Sequence, residues 1–183
     1  RRLTMTVQRF AALAYPKKYA EMPETPEPKL AVKMVDIHAA LKALGVEKGE
    51  RPVLALCPGA EYGPAKQWPA DYYSALAKRY LDKKWDVWLF GSEKDKPVTA
   101  KVVAEAGDGV VDLAGRTSLA QAVDLMAVTD AVVSNDSGLM HVAAALGRKL
   151  VAIYGSSDPG FTPPLNKASR VVTLGLSCSP CFK

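Results

Sequence analysis

The chain has 183 residues, 49% of them hydrophobic, and carries 24 Lys and Arg against 19 Asp and Glu. This length and apolar fraction indicate one packed domain with an appendage, and they exclude a disordered chain. No apolar run approaches the roughly 18 residues of a membrane span, and the net charge of +5 gives only weak support for an anionic partner.

The amino-terminal part differs in composition from the rest. Residues 1–15 have helical periodicity and predict an amphipathic helix from the interior of a longer chain. Residues 16–29 hold four prolines among alternating charges and predict an extended linker. Residues 30–183 have a regular pattern and predict a packed domain.

From residue 30 onwards, helical periods alternate with short apolar runs. The helical periods predict helices over 30–44, 70–82, 95–106, 118–128 and 137–147. The apolar runs predict strands over 53–57, 85–90, 110–113, 131–134, 150–154 and 170–174. Apolar strands that alternate with helices indicate an α/β fold, a Rossmann-like doubly wound parallel sheet covered on both faces.

Ligands of such sheets bind beyond the carboxyl ends of the strands. The loop after the first strand, CPGAEYGPAKQWP, contains Gly59 and Gly63, which allow close approach of a ligand, and Lys66, a cation suited to phosphate. A turn with a solvated lysine fits the same pattern equally well. Neither a P-loop nor the dinucleotide motif GxGxxG occurs.

The loop after the fourth strand, SNDSGLMH, leads into a helix. Three of its residues are good N-caps, namely Asn135, Asp136 and Ser137. The backbone amides of Ser137 and Gly138 lie at the positive end of the helix and predict an anion site. His141 follows Ser137 by four residues and so projects from the same face, although a structural role for this histidine is the alternative.

Two smaller features follow the second and third strands. Glu93 and Asp95 could hold ribose hydroxyls or simply favour a helix amino terminus. Thr117 or Ser118 could cap the next helix.

Several classes of site are not expected. There is no HExxH, no DxD-type acidic pair and no GxSxG motif, and the chain has only two histidines. Cys178 and Cys181 supply half a zinc site at most. Three cysteines are an odd count, which disfavours a disulfide framework and favours a reducing cytoplasm. The scattered basic residues disfavour nucleic-acid binding.

The motifs CPGAEYGPAKQWP, LFGS, LAGRTSL, NDSGLMHVAAALG and VAIYGSSDP together resemble the bacterial heptosyltransferases of lipopolysaccharide biosynthesis, glycosyltransferase family 9. The resemblance covers roughly residues 50–183. It implies a two-domain GT-B enzyme that transfers heptose from ADP-L-glycero-D-manno-heptose to an inner-core heptose with inversion. In this chain, residues 1–15 would be the last helix of a missing N-terminal domain, residues 16–29 the interdomain linker, and residues 30–183 the donor-binding domain, truncated at its carboxyl end. This part would be inactive alone, because the family's general base lies in the N-terminal domain.

The resemblance also implies the roles of particular residues. It places eight around the ADP-sugar: Tyr62, Lys66, Asp95, Thr117, Asp136, Ser137, Gly138 and His141. Lys66 and His141 would stabilise the leaving group, with Asp95 near the ribose and Thr117 near the adenine. No metal or other cofactor is expected, and the roles of Glu61 and Tyr62 stay open. The enzyme would be cytoplasmic, with peripheral contact at the inner face of the inner membrane.

Two alternatives stay open beside this hypothesis. One is a GT-B nucleotide-sugar epimerase, which would prefer UDP to ADP. The other is a non-catalytic nucleotide-binding module, whose basic charge would dock it on acidic lipid.

Overall fold

The computed structural model describes residues 3–16, 25–61 and 63–181. Within them the helices are α1 (Thr6–Ala12), α2 (Met34–Leu44), α3 (Ala70–Asp82), α4 (Lys96–Ala106), α5 (Leu119–Met126) and α6 (Gly138–Ala145). The strands are β1 (Val53–Cys57), β2 (Asp86–Leu89), β3 (Val110–Asp112), β4 (Ala131–Asn135), β5 (Lys149–Tyr154) and β6 (Ser169–Thr173). Short 3-10 turns at Pro64–Lys66 and Glu93–Asp95 precede α3 and α4.

The strands form one parallel sheet with the order β3-β2-β1-β4-β5-β6. This is the order of the doubly wound dinucleotide-binding fold. The chain runs outwards from β1 to β3 and then returns to place β4 on the other side of β1. The predicted Rossmann-like sheet is thus confirmed, and its switch point lies between β1 and β4.

The apolar character of the strands follows from burial on both faces of the sheet. Val53, Ala55 and Cys57 of β1 face one core, which lies under α2, α5 and α6. Leu54 and Leu56 face the other core, under α3 and α4. Since the central strands are sandwiched in this way, their carboxyl ends are the places where polar side chains can collect.

The elements at the rim of the domain differ most from prediction. Helix α2 begins at Met34 rather than at residue 30, since Lys33 before it has an extended backbone (φ −102°, ψ 141°). The Leu30 amide donates a hydrogen bond to the Ala145 carbonyl at the end of α6. Strand β6 lies at the edge of the sheet and exposes Val171 and Val172.

Helix α1 docks on the loop after β5. The Thr6 amide donates to the Phe161 carbonyl (2.8 Å), and the Arg9 guanidinium lies 5.4 Å from the centroid of the Phe161 ring. No α1 residue is buried. The division into terminal helix, linker and domain stays a prediction, and most of the linker lies outside the described residues. In the described part of the chain, no helix has the length and apolarity needed to cross a bilayer.

Candidate functional site

A cavity of about 460 Å³ opens at the carboxyl ends of β1, β2 and β4, at the switch point of the sheet. Four of the residues predicted for the site line it: Asp95, Thr117, Ser137 and Gly138. Much of the remaining wall is apolar and is formed by Phe90, Leu119, Ala122, Leu139 and Val142. The cavity therefore combines an apolar wall with hydroxyl, carboxylate and helix-terminal groups.

Three further predicted residues lie beside the cavity, namely Lys66, Asp136 and His141, and we call them the ionic cluster. They do not line the cavity, but Asp136 directly precedes Ser137, which does. The Lys66 ammonium donates to Asp136 Oδ2 at 2.6 Å. The two side chains are 22% and 6% exposed, so the pair is only weakly screened by water. The structure thus brings together a lysine and an aspartate that lie 70 positions apart in the sequence.

His141 feels both charges of this pair. Desolvation by the surrounding protein lowers its pKa, the Asp136 carboxylate raises it, and the Lys66 ammonium lowers it. The lowering effects dominate, although the residue still reaches solvent. The uncharged imidazole is therefore favoured at neutral pH.

Acid is expected to destabilise the chain partly through His141. Its folded pKa lies below its ordinary value of 6.5. The unfolded state consequently takes up the proton first, and the free energy of unfolding falls as the pH drops from 6.5 through the folded pKa. Above that range His141 is neutral in both states and contributes nothing to the pH dependence.

Urea unfolding at about pH 7.5 and about pH 5 measures this linkage. His141→Gln should make the loss of unfolding free energy between the two pH values smaller, and the exposed His38 on α2 offers His38→Gln as the matched control. An equal loss in the wild type and in His141→Gln would contradict the assignment.

The start of α6 differs from prediction in one respect. Ser137 is the N-cap, with an extended backbone, and its hydroxyl lies 3.2 Å from the Ser134 hydroxyl rather than bonding into the helix. Asn135 is not a cap: it is fully buried, and its side chain bonds to the loop after β1. The prediction of Asn135 as an N-cap is therefore wrong. An asparagine at the end of a wholly buried strand was the sequence signal for a different role.

Asp95 lines the cavity and also holds the start of α4. Its Oδ2 accepts hydrogen bonds from the Ser92 amide (2.7 Å) and hydroxyl (2.8 Å), as a capping box. Its carboxylate lies against Gly59, where a Cβ atom would collide with it. The Asp95 carboxylate therefore does favour a helix amino terminus, as one of the two predicted roles required, and the same residue also lines the cavity.

Glu61, at the cavity rim, has an exposed partner. Lys94 donates to Glu61 Oε1 at 2.7 Å, and this bond together with the glutamate charge raises the pKa of Lys94. Both side chains are exposed, so the pair adds little stability. Tyr62, the eighth predicted site residue, lies outside the described residues.

Two hydroxyl residues of the loop after β3, Thr117 and Ser118, line the cavity, but only one of them caps α5. Ser118, not Thr117, caps α5: its hydroxyl accepts from the Gln121 amide (3.2 Å), and the Gln121 side chain accepts from the Ser118 amide (2.9 Å). Thr117 lines the cavity, with its hydroxyl outside the capping box.

Replacement of the two hydroxyl residues should therefore have different effects. Ser118→Ala is expected to lower the free energy of unfolding by about 1 kcal/mol through loss of the cap. Thr117→Ala should lower it by less, because this hydroxyl does not cap the helix. Urea unfolding of both variants measures the difference, and equal losses would contradict the division of roles.

Comparison with known proteins identifies the family. The sequence model of glycosyltransferase family 9 (heptosyltransferase) matches residues 1–183. The chain belongs to the heptosyltransferase family. Lipooligosaccharide heptosyltransferase 2 of Haemophilus influenzae is 43% identical over an alignment of 181 positions, and the match covers 93% of this chain and 52% of that protein. Lipopolysaccharide heptosyltransferase 2 of Escherichia coli is 43% identical over 178 residues, 93% of this chain and 51% of that protein.

Solved structures agree. The ADP-heptose lps heptosyltransferase II of Escherichia coli superposes with a TM-score of 0.86 at 40% identity, over 98% of this chain and 59% of that one. Escherichia coli heptosyltransferase WaaC with ADP gives 0.60 at 27% identity, over 72% and 41%. These comparisons confirm the resemblance to heptosyltransferases of type II. The chain spans about half the length of the curated relatives it matches.

The cysteines of this heptosyltransferase-family chain lie in two environments. Burial is the largest influence on Cys57 and raises the pKa of its thiol to about 12, which keeps it protonated and unreactive. Cys178 and Cys181 are exposed and line a second cavity of about 300 Å³, with Ala65, Tyr154 and Ser156 among the other wall residues. Within residues 3–16, 25–61 and 63–181, no three potential His, Cys, Asp or Glu ligands come together.

Proposed function

We propose that this chain is the donor-binding part of an inverting heptosyltransferase. The whole enzyme would transfer heptose from ADP-L-glycero-D-manno-heptose to an inner-core heptose of lipopolysaccharide, and this part alone would be inactive. The proposal rests on one observation. The ionic cluster, the amino end of α6 and a partly apolar cavity lie together at the carboxyl ends of the central strands. The first two suit a diphosphate and the third suits the rest of a nucleotide.

The phosphate end of the donor would lie at the start of α6. The backbone amides of Ser137 and Gly138 carry the positive partial charge of a helix amino terminus, which favours an anion. The Lys66 ammonium beside Asp136 adds a full positive charge. His141 is neutral at pH 7 and can donate one imidazole N–H hydrogen bond to a phosphate oxygen.

The nucleoside would occupy the cavity of about 460 Å³. Leu119, Leu139 and Val142 provide apolar contacts for a base, and Thr117 provides a hydroxyl beside them. Asp95 keeps Oδ2 on Ser92, which leaves its other carboxylate oxygen for a ribose hydroxyl. Relatives support the choice of nucleotide, since WaaC of Escherichia coli was solved with ADP.

In the proposed reaction, this half of the enzyme would stabilise the leaving group, ADP. The acceptor hydroxyl oxygen would form a bond to the anomeric carbon while the bond from that carbon to the β-phosphate oxygen breaks, and ADP departs. Lys66 and the α6 terminus would stabilise the negative charge that develops on the diphosphate. We propose that no metal is needed for this step. The acceptor proton would pass to a carboxylate of the N-terminal half.

The location of the enzyme follows from its substrates. We propose that it is cytoplasmic and meets its lipid-anchored, anionic acceptor at the inner face of the inner membrane. That contact would be peripheral and electrostatic.

A hybrid protein tests the transferase proposal against its alternatives. It joins the N-terminal half of the Escherichia coli lipopolysaccharide heptosyltransferase 2 to this chain, and it is given ADP-heptose and a heptose-terminated inner-core acceptor. We expect ADP release and an extended acceptor with inverted anomeric configuration. A folded hybrid that binds ADP without transfer would favour a non-catalytic module, and a preference for UDP with sugar epimerisation would favour the epimerase.

A further inference from the structure

We infer that Asn135 is a positioning residue: its side-chain amide ties both ends of the loop that carries Lys66 to the end of β4, and so holds the Lys66 ammonium beside Asp136. The inference concerns the same site as the proposed donor site. It rests on contacts within the chain, and its test does not depend on nucleotide binding.

The amide of Asn135 is fully buried and uses all of its hydrogen-bonding capacity. Nδ2 donates to the carbonyls of Pro58 (2.7 Å) and Gly59 (3.2 Å), at the start of the loop. Oδ1 accepts from the Trp68 amide (3.0 Å), at the end of the loop, and from the Tyr73 hydroxyl (3.0 Å), on α3. One side chain therefore fixes the loop at both ends.

The described residues of the loop, 58–61 and 63–68, make few hydrogen bonds among themselves, such as those from the Gly63 amide to the Ala60 carbonyl (3.4 Å) and from the Gln67 amide to the Pro64 carbonyl (2.9 Å). They include one 3-10 turn, Pro64–Lys66, preceded by Gly63 with φ 105°. The amide of Lys66 donates to the Gly63 carbonyl over a long 3.3 Å. Such short 3-10 turns have poor hydrogen-bond geometry, so the anchors outside the loop decide where it lies.

Each member of the ion pair lies close in the sequence to one partner of the anchoring hydrogen bond between Trp68 and Asn135. Lys66 precedes the anchored Trp68 by two residues, and Asp136 directly follows Asn135. Trp68 also packs edge-on against Tyr73, with ring centroids 5.0 Å apart. Any shift of Trp68 away from Asn135 is therefore transmitted to Lys66, while the Asp136 amide stays bonded to the Ile153 carbonyl of β5 (3.1 Å).

His141 reports the position of Lys66 without any ligand. The Lys66 ammonium lowers the pKa of His141 and the Asp136 carboxylate raises it. NMR titration of the two histidine signals of the 183-residue chain follows this pKa, with the His38 signal as an internal reference. Lys66→Ala should raise the pKa of His141. Asn135→Ala should raise it too, because the released loop carries Lys66 away.

A double variant separates positioning from general loosening. In the Lys66→Ala background, Asn135→Ala should leave the pKa of His141 unchanged, since no ammonium remains to be moved. Thr129→Ala is the matched control: it removes a buried side-chain bond to the Met126 carbonyl (2.9 Å) on the segment before β4. It should destabilise the chain and leave His141 as it is.

Tyr73→Phe gives the same test if Asn135→Ala does not fold. It removes one of the four bonds and keeps the buried ring, so a smaller shift in the same direction is expected. An unchanged His141 pKa in a folded Asn135→Ala or Tyr73→Phe variant, beside a raised one in Lys66→Ala, would overturn the inference. A residual shift in the double variant would overturn it as well, because Asn135 would then act on Asp136.

Discussion

Lys66→Met is expected to weaken binding of ADP by about 1.5–3 kcal/mol, or roughly ten- to 150-fold in Kd. The variant removes the ammonium of the ionic cluster and leaves the Asp136 carboxylate, 6% exposed, uncompensated beside an anionic ligand. The methionine keeps most of the side-chain volume, so the fold should persist. Isothermal titration calorimetry with ADP measures the affinity, and circular dichroism checks the fold.

Two controls sharpen this result. Lys101→Met removes an ammonium from the exposed pair with Asp71, between α4 and α3, and should leave ADP affinity unchanged. Lys66→Met combined with Asp136→Asn removes both charges of the cluster and should recover part of the lost affinity. Wild-type affinity in folded Lys66→Met would show that the cluster is a structural ion pair only.

Gly59→Ala is expected to damage both the fold and the site. Its Cβ atom would fall on the Asp95 carboxylate, which cannot rotate away without losing its two bonds from Ser92. Relief requires a shift of the loop after β1, at a cost of about 1–3 kcal/mol in unfolding free energy. Because Gly59 and Asp95 both line the cavity, ADP affinity should fall by roughly tenfold or more, about 1.4 kcal/mol.

Gly49→Ala is the matched control for this variant. Gly49 lies before β1, at the other end of the strand, and a Cβ atom there would meet nothing within 4 Å. Its stability and ADP affinity should stay close to those of the wild type. Gly59→Ala with the same behaviour as Gly49→Ala would mean that Asp95 moves freely and that its capping bonds are dispensable.

The fold could be predicted because its signals are local. The bounds of β1 and α3 agree with those predicted from apolar runs and helical periodicity alone. The start of α2 could not be predicted in that way, because the segment before it is extended and lies with Leu30 at the distant end of α6, where the Leu30 amide bonds to the Ala145 carbonyl. The exposure of Val171 and Val172 likewise depends on which strand ends the sheet.

Part of the site could be predicted, because a parallel sheet brings the loops after its strands together at the carboxyl ends of those strands. The residues after β1 and β4 had to lie close together once the sheet was parallel, which explains why Lys66 and Asp136 meet. The partners of Asn135 were not predictable, although its place at the end of a buried strand pointed away from capping, because an asparagine two residues before Ser137 also satisfies the local rules for a helix cap. Its positioning role depends on the loop packed against it, in which the Trp68 amide, 67 positions away in the sequence, donates to the Asn135 side chain.

Calorimetric titration of the chain with ADP, UDP and inorganic phosphate tests the proposed donor site most directly. We expect ADP to bind more tightly than UDP or phosphate, and Lys66→Met to weaken ADP and UDP alike, because both carry the diphosphate that we assign to Lys66. A folded chain that binds none of the three, or that binds UDP at least as tightly as ADP, would contradict the assignment of this sheet edge to an ADP-sugar.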